Sequence, residues 1–193
     1  MNLAFDIFQG IGIAAAIGVR PFLPTLAVGA LAAGNVQIHF KDTDYAFLQG
    51  APFLGGMAAG AIVCALLQRR FKPENPPTVY LLGLAGVALG ALEFAGSLCR
   101  DHHRVWPGLV GGAICAAIGL AATAPLLGRV RTRLDEGAAR SLPVYAELGA
   151  VLFAALSVVA PPVGVIGLAI LLWLLIAGRG RGDQKYAGLR ILR

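Results

Sequence analysis

An arginine interrupts the first long apolar run of the sequence, and a proline follows it directly. Arg20 has apolar residues on both sides for more than two helical turns, and Pro21 comes next. A guanidinium at mid-membrane depth costs from about 3 to 10 kcal/mol or more. Pro21 has no backbone N–H and disfavours helical geometry at Arg20. The pattern predicts a helix that breaks at Arg20, where irregular backbone is tolerated only if protein covers it or it lines a cavity.

A broken helix that carries an arginine favours a binding site for an anionic group. The guanidinium presents a planar fork of donors to a carboxylate or phosphate, and the free amides of a helix start bind the same groups. Arg20 and Pro21 are therefore predicted substrate-binding residues. The alternative interpretation is a purely structural ion pair, in which Arg20 contacts Glu93 or Glu147 and locks two helices together.

Two carboxylates interrupt later apolar runs. Glu93 lies between Leu92 and Phe94, and an acid in such a setting is a candidate proton-coupling residue or else a paired residue near the membrane interface. Glu147 is the second proton-coupling candidate. It falls about one turn beyond a basic loop, so the alternative that we expect for it is a pair with an arginine of that loop.

Other residues with metal-binding or catalytic chemistry form no site in the sequence. The run Cys99 to His103 places its ligand types almost consecutively, so it cannot easily surround one ion, and we predict neither a metal nor a cofactor. No nucleophile triad, phosphate-binding loop or dinucleotide fingerprint is present. An enzyme acting on a lipid headgroup through His102 and His103 is the weakest expectation. Membrane orientation explains the basic loops without nucleic acid.

The composition predicts an integral membrane protein. The chain of 193 residues is 58% hydrophobic and 13% charged, whereas soluble domains are about 25% charged. Several apolar runs reach the roughly 20 residues that a spanning helix needs. The predicted fold class is all-α integral membrane, with six transmembrane helices of which the first is broken, at about 3–33, 45–67, 78–97, 105–127, 142–160 and 163–177.

The distribution of basic residues predicts the orientation. If the first segment starts inside, the predicted cytoplasmic segments carry twelve Lys and Arg residues and the outer loops carry three. Cytoplasmic loops are enriched in these residues, so we expect both termini to be cytoplasmic. One transmembrane domain covers 1–178, and a basic cytoplasmic tail that could touch anionic lipid covers 179–193.

Two short motifs recur in nearly the same register. The matched segments are 15–18 with 116–119 and 45–48 with 145–148, at offsets of 101 and 100. A true repeat predicts halves of about 1–98 and 104–178 with three spans each and opposite orientations, as in many transporters. The counterpart of the Arg20 break is then 121–125, which makes Thr123 a third predicted substrate-binding residue. Chance is the alternative, because alanine-rich matches arise easily.

The run from Gly18 to Pro24, with Ala91–Ala95 and Lys185–Arg190, resembles a family of small bacterial integral membrane proteins of unknown function. The resemblance implies a bacterial inner-membrane location and supplies no activity. From the residues, the leading hypothesis is a small transporter or channel for an anionic or lipid-like substrate. We expect a homodimer, since so small a chain encloses little cavity. A non-transporting accessory or scaffold subunit is the alternative.

Overall fold

The chain is all-helical over the residues that the computed structural model describes, which are 3–38, 40–41, 43–70, 76–99 and 105–187. The helices, in chain order, are α1 Leu3–Val19, α2 Phe22–Ala33, a 3₁₀ helix Ala46–Gln49, α3 Ala51–Arg70, α4 Pro76–Cys99, α5 Val105–Arg131, α6 Glu136–Val159 and α7 Pro162–Ala187. The predicted all-α class is confirmed.

Among the described residues, three helices are long and apolar enough to cross a membrane. They cover Tyr80–Cys99, Val105–Arg131 and Glu136–Val159. Shorter apolar helices cover Leu3–Val19, Phe22–Ala33, Ala51–Leu67 and Pro162–Gly178. These helices are consistent with a membrane protein.

Helix α1 lies at the centre of the fold. It packs against α4, α5, α6 and α7, and every residue from 12 to 18 is buried. A helix that is enclosed on all sides needs small residues where neighbouring backbones meet it. Helix α1 supplies them as Gly10, Gly12, the run 14–16 and Gly18.

The contacts of α1 are made largely between backbones. A Cβ atom added to Gly18 would collide with the carbonyl oxygen of Ala116 on α5, and one added to Gly119 would collide with that of Ala15. On α4, an added Cβ at Gly90 would lie 3.3 Å from the carbonyl oxygen of Ala14. Helices α4 and α5 therefore approach α1 more closely than any larger side chain would permit.

The predicted break after α1 is present. Arg20 still donates its N–H to the carbonyl oxygen of Ala16, over 3.2 Å, but α1 ends at Val19 and α2 begins at Phe22. Pro21 has no N–H to offer to the carbonyl of Ile17, so the helical ladder stops there. Pro24 falls in the first turn of α2, where a missing N–H costs nothing.

Beyond this break the chain reverses, so that α1 and α2 form a helical hairpin with Arg20 at its tip. Near the start of α1, the hydroxyl oxygen of Ser97 on α4 lies 3.4 Å from the backbone oxygen of Asp6. Near the end of α2, Gly29 faces Leu48, and Leu48 also contacts Gly96 of α4. Because Gly96 and Ser97 are neighbours, the two ends of the hairpin lie at the same end of the bundle.

We call the end of the bundle that holds Leu3, Ala33 and Cys99 the loop end. The opposite end, which we call the basic end, holds Arg131 and Glu136. There α7 returns to α5, since Gly178 lies beside the guanidinium of Arg129.

This hairpin differs from the predicted first span, in which two half-helices form one crossing. An apolar run has the same hydropathy whether it crosses a membrane or turns back within it, so the sequence pattern could not detect the reversal. The reversal depends instead on contacts between distant segments, such as those of Leu48 with Gly29 and Gly96.

The structure does not support the predicted inverted repeat. Helices α1 and α5 run in the same direction, since both are antiparallel to α4. On α1, Gly10 faces Phe94 and Ala14 faces Gly90, and on α5, Gly108 faces Ala95 and Gly112 faces Gly90. Segment 46–49 forms a 3₁₀ helix, whereas its matched segment 145–148 lies in the middle of α6. Pro125 lies inside a continuous α5, so the segment 121–125 is not a second break.

Substitution of the contact glycines tests the close packing around α1. We expect Gly18→Ala and Gly119→Ala to lower the free energy of unfolding by about 1–3 kcal/mol each, because each added methyl meets a backbone carbonyl that cannot move cheaply. Thermal unfolding in detergent measures this. Gly55→Ala on α3 is the matched control, since that position has nothing within 4 Å. Equal stability of the Gly18 and Gly55 variants would contradict the packing.

Candidate functional site

Arg20 lies at the tip of the hairpin, with its side chain largely enclosed. Its side chain is 18% exposed and approaches Glu147 of α6, with 4.0 Å between Arg20 Nε and Glu147 Oε1. Helix α6 runs antiparallel to α1, as shown by the bond of 2.9 Å from Gln9 Nε2 to the carbonyl oxygen of Val158. This register brings the middle of α6 to the tip of the hairpin.

Glu147 therefore pairs with Arg20, and the expected pair with an arginine of the basic loop is not formed. Helix α6 begins at Glu136, six residues before the predicted start of the span at 142. Glu147 lies eleven residues into a helix of 24, about 16 Å along its axis. The loop arginine Arg140 contacts Glu136 instead, with 3.4 Å between Arg140 Nη2 and Glu136 Oε2.

The pair between Arg20 and Glu147 is loosely made. Arg20 Nε and Glu147 Oε2 are both buried and neither has a hydrogen-bond partner among the described residues. At 4.0 Å the contact is an ion pair without a hydrogen bond. A buried ion pair offsets its desolvation only if its geometry is good and its remaining polar atoms are satisfied. This site keeps unused hydrogen-bonding capacity on both partners.

The backbone at the tip contributes further polar groups. The first amides of α2, at Phe22 and Leu23, have no acceptor within their helix. Pro21 presents a carbonyl oxygen that accepts a bond of 2.6 Å from the hydroxyl of Thr25. The tip therefore combines a guanidinium with the amides of a helix start, the groups that bind carboxylate or phosphate oxygens.

Thr123 is not joined to this cluster by any contact that the described residues show. Its hydroxyl donates to the carbonyl oxygen of Gly119 one turn earlier on α5, over 2.6 Å. Gly119 itself packs against α1 at Ala15 and Gly18, so Thr123 lies about one turn beyond that contact. Its predicted role in binding stays a prediction.

Glu93 lies elsewhere, in the half of the bundle toward the loop end. Its side chain is 0% exposed, and neither carboxyl oxygen has a hydrogen-bond partner among the described residues. It shares a face of α4 with Leu89 and Gly96, one turn away on either side. The expected ion pair of Arg20 therefore involves Glu147 and not Glu93.

Asp6 is also buried, although no pattern in the sequence predicted a site there. Asp6 lies in the first turns of α1 with 2% of its surface exposed. The available signal was a carboxylate at the fourth residue of the predicted first span, 3–33. Ser97 of α4 is buried as well, and its hydroxyl donates to the carbonyl oxygen of Phe94, over 2.8 Å. His102 and His103 lie outside the described residues.

The chain matches no protein-family model, no curated protein and no solved structure. The resemblance of its Gly18–Pro24 run to small bacterial membrane proteins therefore stays an expectation. The functional proposal depends on the residues and their geometry.

A double-mutant cycle tests the pair between Arg20 and Glu147. We expect Arg20→Ala and Glu147→Ala each to lower the free energy of unfolding, and the double variant to lower it by less than the sum, because each single change leaves a charge without its partner. Denaturant unfolding in detergent micelles measures the cycle.

The exposed pair of Arg140 and Glu136 is the matched control on the same helix. Its side chains are 81% and 91% exposed, so its coupling free energy should be small, since surface pairs contribute about 0–1 kcal/mol. Additive effects at Arg20 and Glu147 would show that the two side chains do not interact.

Proposed function

We propose that this protein is a small membrane transporter or channel for an anionic substrate, either a small carboxylate or phosphate compound or a lipid with such a headgroup. The observation that carries the proposal is the loose pair between Arg20 and Glu147 at the hairpin tip, with buried Nε and Oε2 atoms that have no hydrogen-bond partner in the part of the chain that the structure describes. An anion that enters the site would satisfy the guanidinium and the first amides of α2 together.

We propose a membrane topology of five crossing helices, α3 to α7, with the α1–α2 hairpin entering from the loop end and returning to it. Nine of the Lys and Arg residues that the structure describes belong to the basic end, against Lys41 at the loop end, and this distribution supports a cytoplasmic location for the basic end. Leu3 then lies on the outer side. This topology replaces the expected six spans with both termini inside.

The depth of the site supports this arrangement. Helix α2 has 12 residues, so it places the tip about 18 Å from the loop end. The hydrocarbon core of a bilayer is about 30 Å thick, which puts Arg20 close to the membrane midplane. Discontinuous helices whose ends meet at the midplane are the usual setting of substrate sites in transporters.

The proposed access route runs from the basic end. Helices α1 and α2 stop at the tip, so the half of the bundle beyond Arg20 lacks the central helix that fills the other half. Arginines lie at the basic end, where the proposed route begins. In the part of the chain that the structure describes, those from the end of α5 to the first turns of α6 are Arg129, Arg131, Arg133 and Arg140. Their charge would attract anions toward the tip.

A non-transporting scaffold is the second candidate, and the same ion pair favours it, because a pair between α6 and the hairpin also joins two elements. A homodimer stays part of the proposal, since one chain of this size encloses little volume. We also keep the inner bacterial membrane as the proposed location.

Labelling of single cysteines tests the topology. In a variant with Cys64, Cys99 and Cys115 changed to alanine, we expect Leu3→Cys and Asn35→Cys to react with a membrane-impermeant maleimide in intact spheroplasts, because both positions lie at the loop end. Arg133→Cys, at the basic end, should react only after permeabilisation. Protection of Leu3→Cys in intact cells would contradict the hairpin and restore the six-span arrangement.

Ligand-induced stabilisation tests the anion site. The probes are inorganic phosphate, acetate and a short-chain phosphatidylglycerol, added to purified protein in detergent. A probe at about 100 times its dissociation constant should raise the free energy of unfolding by about 2.7 kcal/mol, seen as a higher melting temperature. Arg20→Ala should abolish the shift, and Arg20→Lys should reduce it, because lysine lacks the planar fork.

The exposed Arg140→Ala variant is the control and should keep the full shift. If no probe stabilises the wild type while Arg20→Ala melts early, the pair is structural and the scaffold function takes precedence.

A further inference from the structure

Glu93 is a further carboxyl group enclosed within the bundle, between the level of Arg20 and the loop end. Glu93 lies on the face of α4 that carries Leu89 and Gly96. Leu89 packs against the core cluster that contains Ile13 and Val28, and Gly96 contacts the loop-end residues Phe40 and Leu48. Glu93 is therefore enclosed between α4, the hairpin and the segment that follows it.

The surroundings of Glu93 supply no stabilising partner for a negative charge. Both oxygens are buried and lack hydrogen-bond donors among the described residues, and the side chain has no exposed surface. An ionised carboxylate in such a place loses its hydration without replacement, which is strongly unfavourable. The cation of the hairpin, Arg20, contacts Glu147 instead.

The elements packed around α4 carry few other titratable groups. Helix α1 carries Asp6 and ends next to Arg20, and α2 carries none. Helix α5 carries Cys115 on the side that packs against Phe94, and Arg129 and Arg131 in its last turn at the basic end. In the loop-end segment, Tyr45 packs against the same cluster as Leu89, with Lys41 and Asp44 exposed and His39 outside the described residues. Burial, with Cys99 and Asp44 nearby, raises the pKa of Tyr45, so its phenol supplies no charge.

We propose that Glu93 carries the proton that couples substrate movement to the proton gradient. In the enclosed state described here the carboxyl group holds its proton. When movement of the hairpin or of the loop-end segment admits water, the O–H bond breaks, the proton passes to a water molecule and the carboxylate remains hydrated. Re-enclosure requires a proton from water to return. This inference rests on the proposed function, and it makes the protein a proton-coupled anion transporter.

Infrared spectroscopy tests the proton on Glu93 without any substrate. In purified protein we expect the carbonyl stretch of a protonated carboxylic acid that accepts no hydrogen bond, and we expect Glu93→Gln to remove it. The exposed Glu136→Gln is the matched control and should leave the band unchanged. If Glu93→Gln does not fold, Glu93→Asp replaces it and should shift the band. A band that neither Glu93 variant alters, or no such band in the wild type, would overturn the proposal.

Proteoliposomes test the coupling. With an inward gradient of inorganic phosphate and a pH-sensitive dye inside, we expect the wild type to move protons together with phosphate. Glu93→Gln should still exchange labelled phosphate across the membrane at equal concentrations but should lose the proton flux, while Glu136→Gln keeps both. If Glu93→Gln keeps the proton flux, Glu93 is not the coupling residue although the transporter function stands. If the wild type and Arg20→Ala exchange phosphate equally, the proposed function itself fails.

Discussion

The enclosure of α1 is the constraint on which the rest of this structure depends. Helix α1 contacts α2, α4, α5, α6 and α7, and a helix enclosed in this way can be accommodated only if its neighbours approach almost to backbone contact, which they do through glycine and alanine. Gly18 lies against the carbonyl of Ala116, and Gly119 lies against that of Ala15. Neither lipid nor water then reaches the buried segment. Arg20 is the first charged side chain beyond the last of these contacts, so the packing of α1 determines where the arginine of the hairpin can lie.

A charge at that position must be compensated, and the manner of compensation is informative. A pair whose only role is to hold helices together should be short and fully hydrogen-bonded, since an enclosed pair otherwise fails to offset its desolvation. The contact between Arg20 and Glu147 is 4.0 Å long, whereas the exposed contact between Arg140 and Glu136 is 3.4 Å long. The interior pair is the looser of the two, although it has less solvent to replace the missing bonds. That contrast favours a site that exchanges partners.

The sequence predicts those features that depend on one residue or on composition. The break at Pro21 follows from its missing N–H, and the all-helical class follows from the long apolar runs. The partner of Arg20 was less predictable, because it depends on where α6 begins. The predicted start at 142 put Glu147 near the end of its helix, whereas the observed start at Glu136 puts it near the middle. The reversal of the chain between α1 and α2 could not be predicted, since it depends on the contacts of Leu48 with Gly29 and Gly96.

The recurrence of the motif 15–18 at 116–119, which suggested a repeat, is explained by helix packing. The matched segments 15–18 and 116–119 contact each other directly, with the glycine of each facing the first alanine of the other. Two helices that cross this closely both need small residues at the crossing, so similar sequences arise there without duplication of a half.

The same packing bears on movement of the hairpin. Surfaces of glycine and alanine interlock little, and sliding of packed helices is one of the common modes of conformational change. Glu147 contacts Arg20, whereas Glu93 lies toward the loop end, enclosed and without a hydrogen-bond partner among the described residues. An enclosed carboxyl group without a hydrogen-bond donor is stable only in its protonated form, which is the physical basis of the coupling that we propose for Glu93.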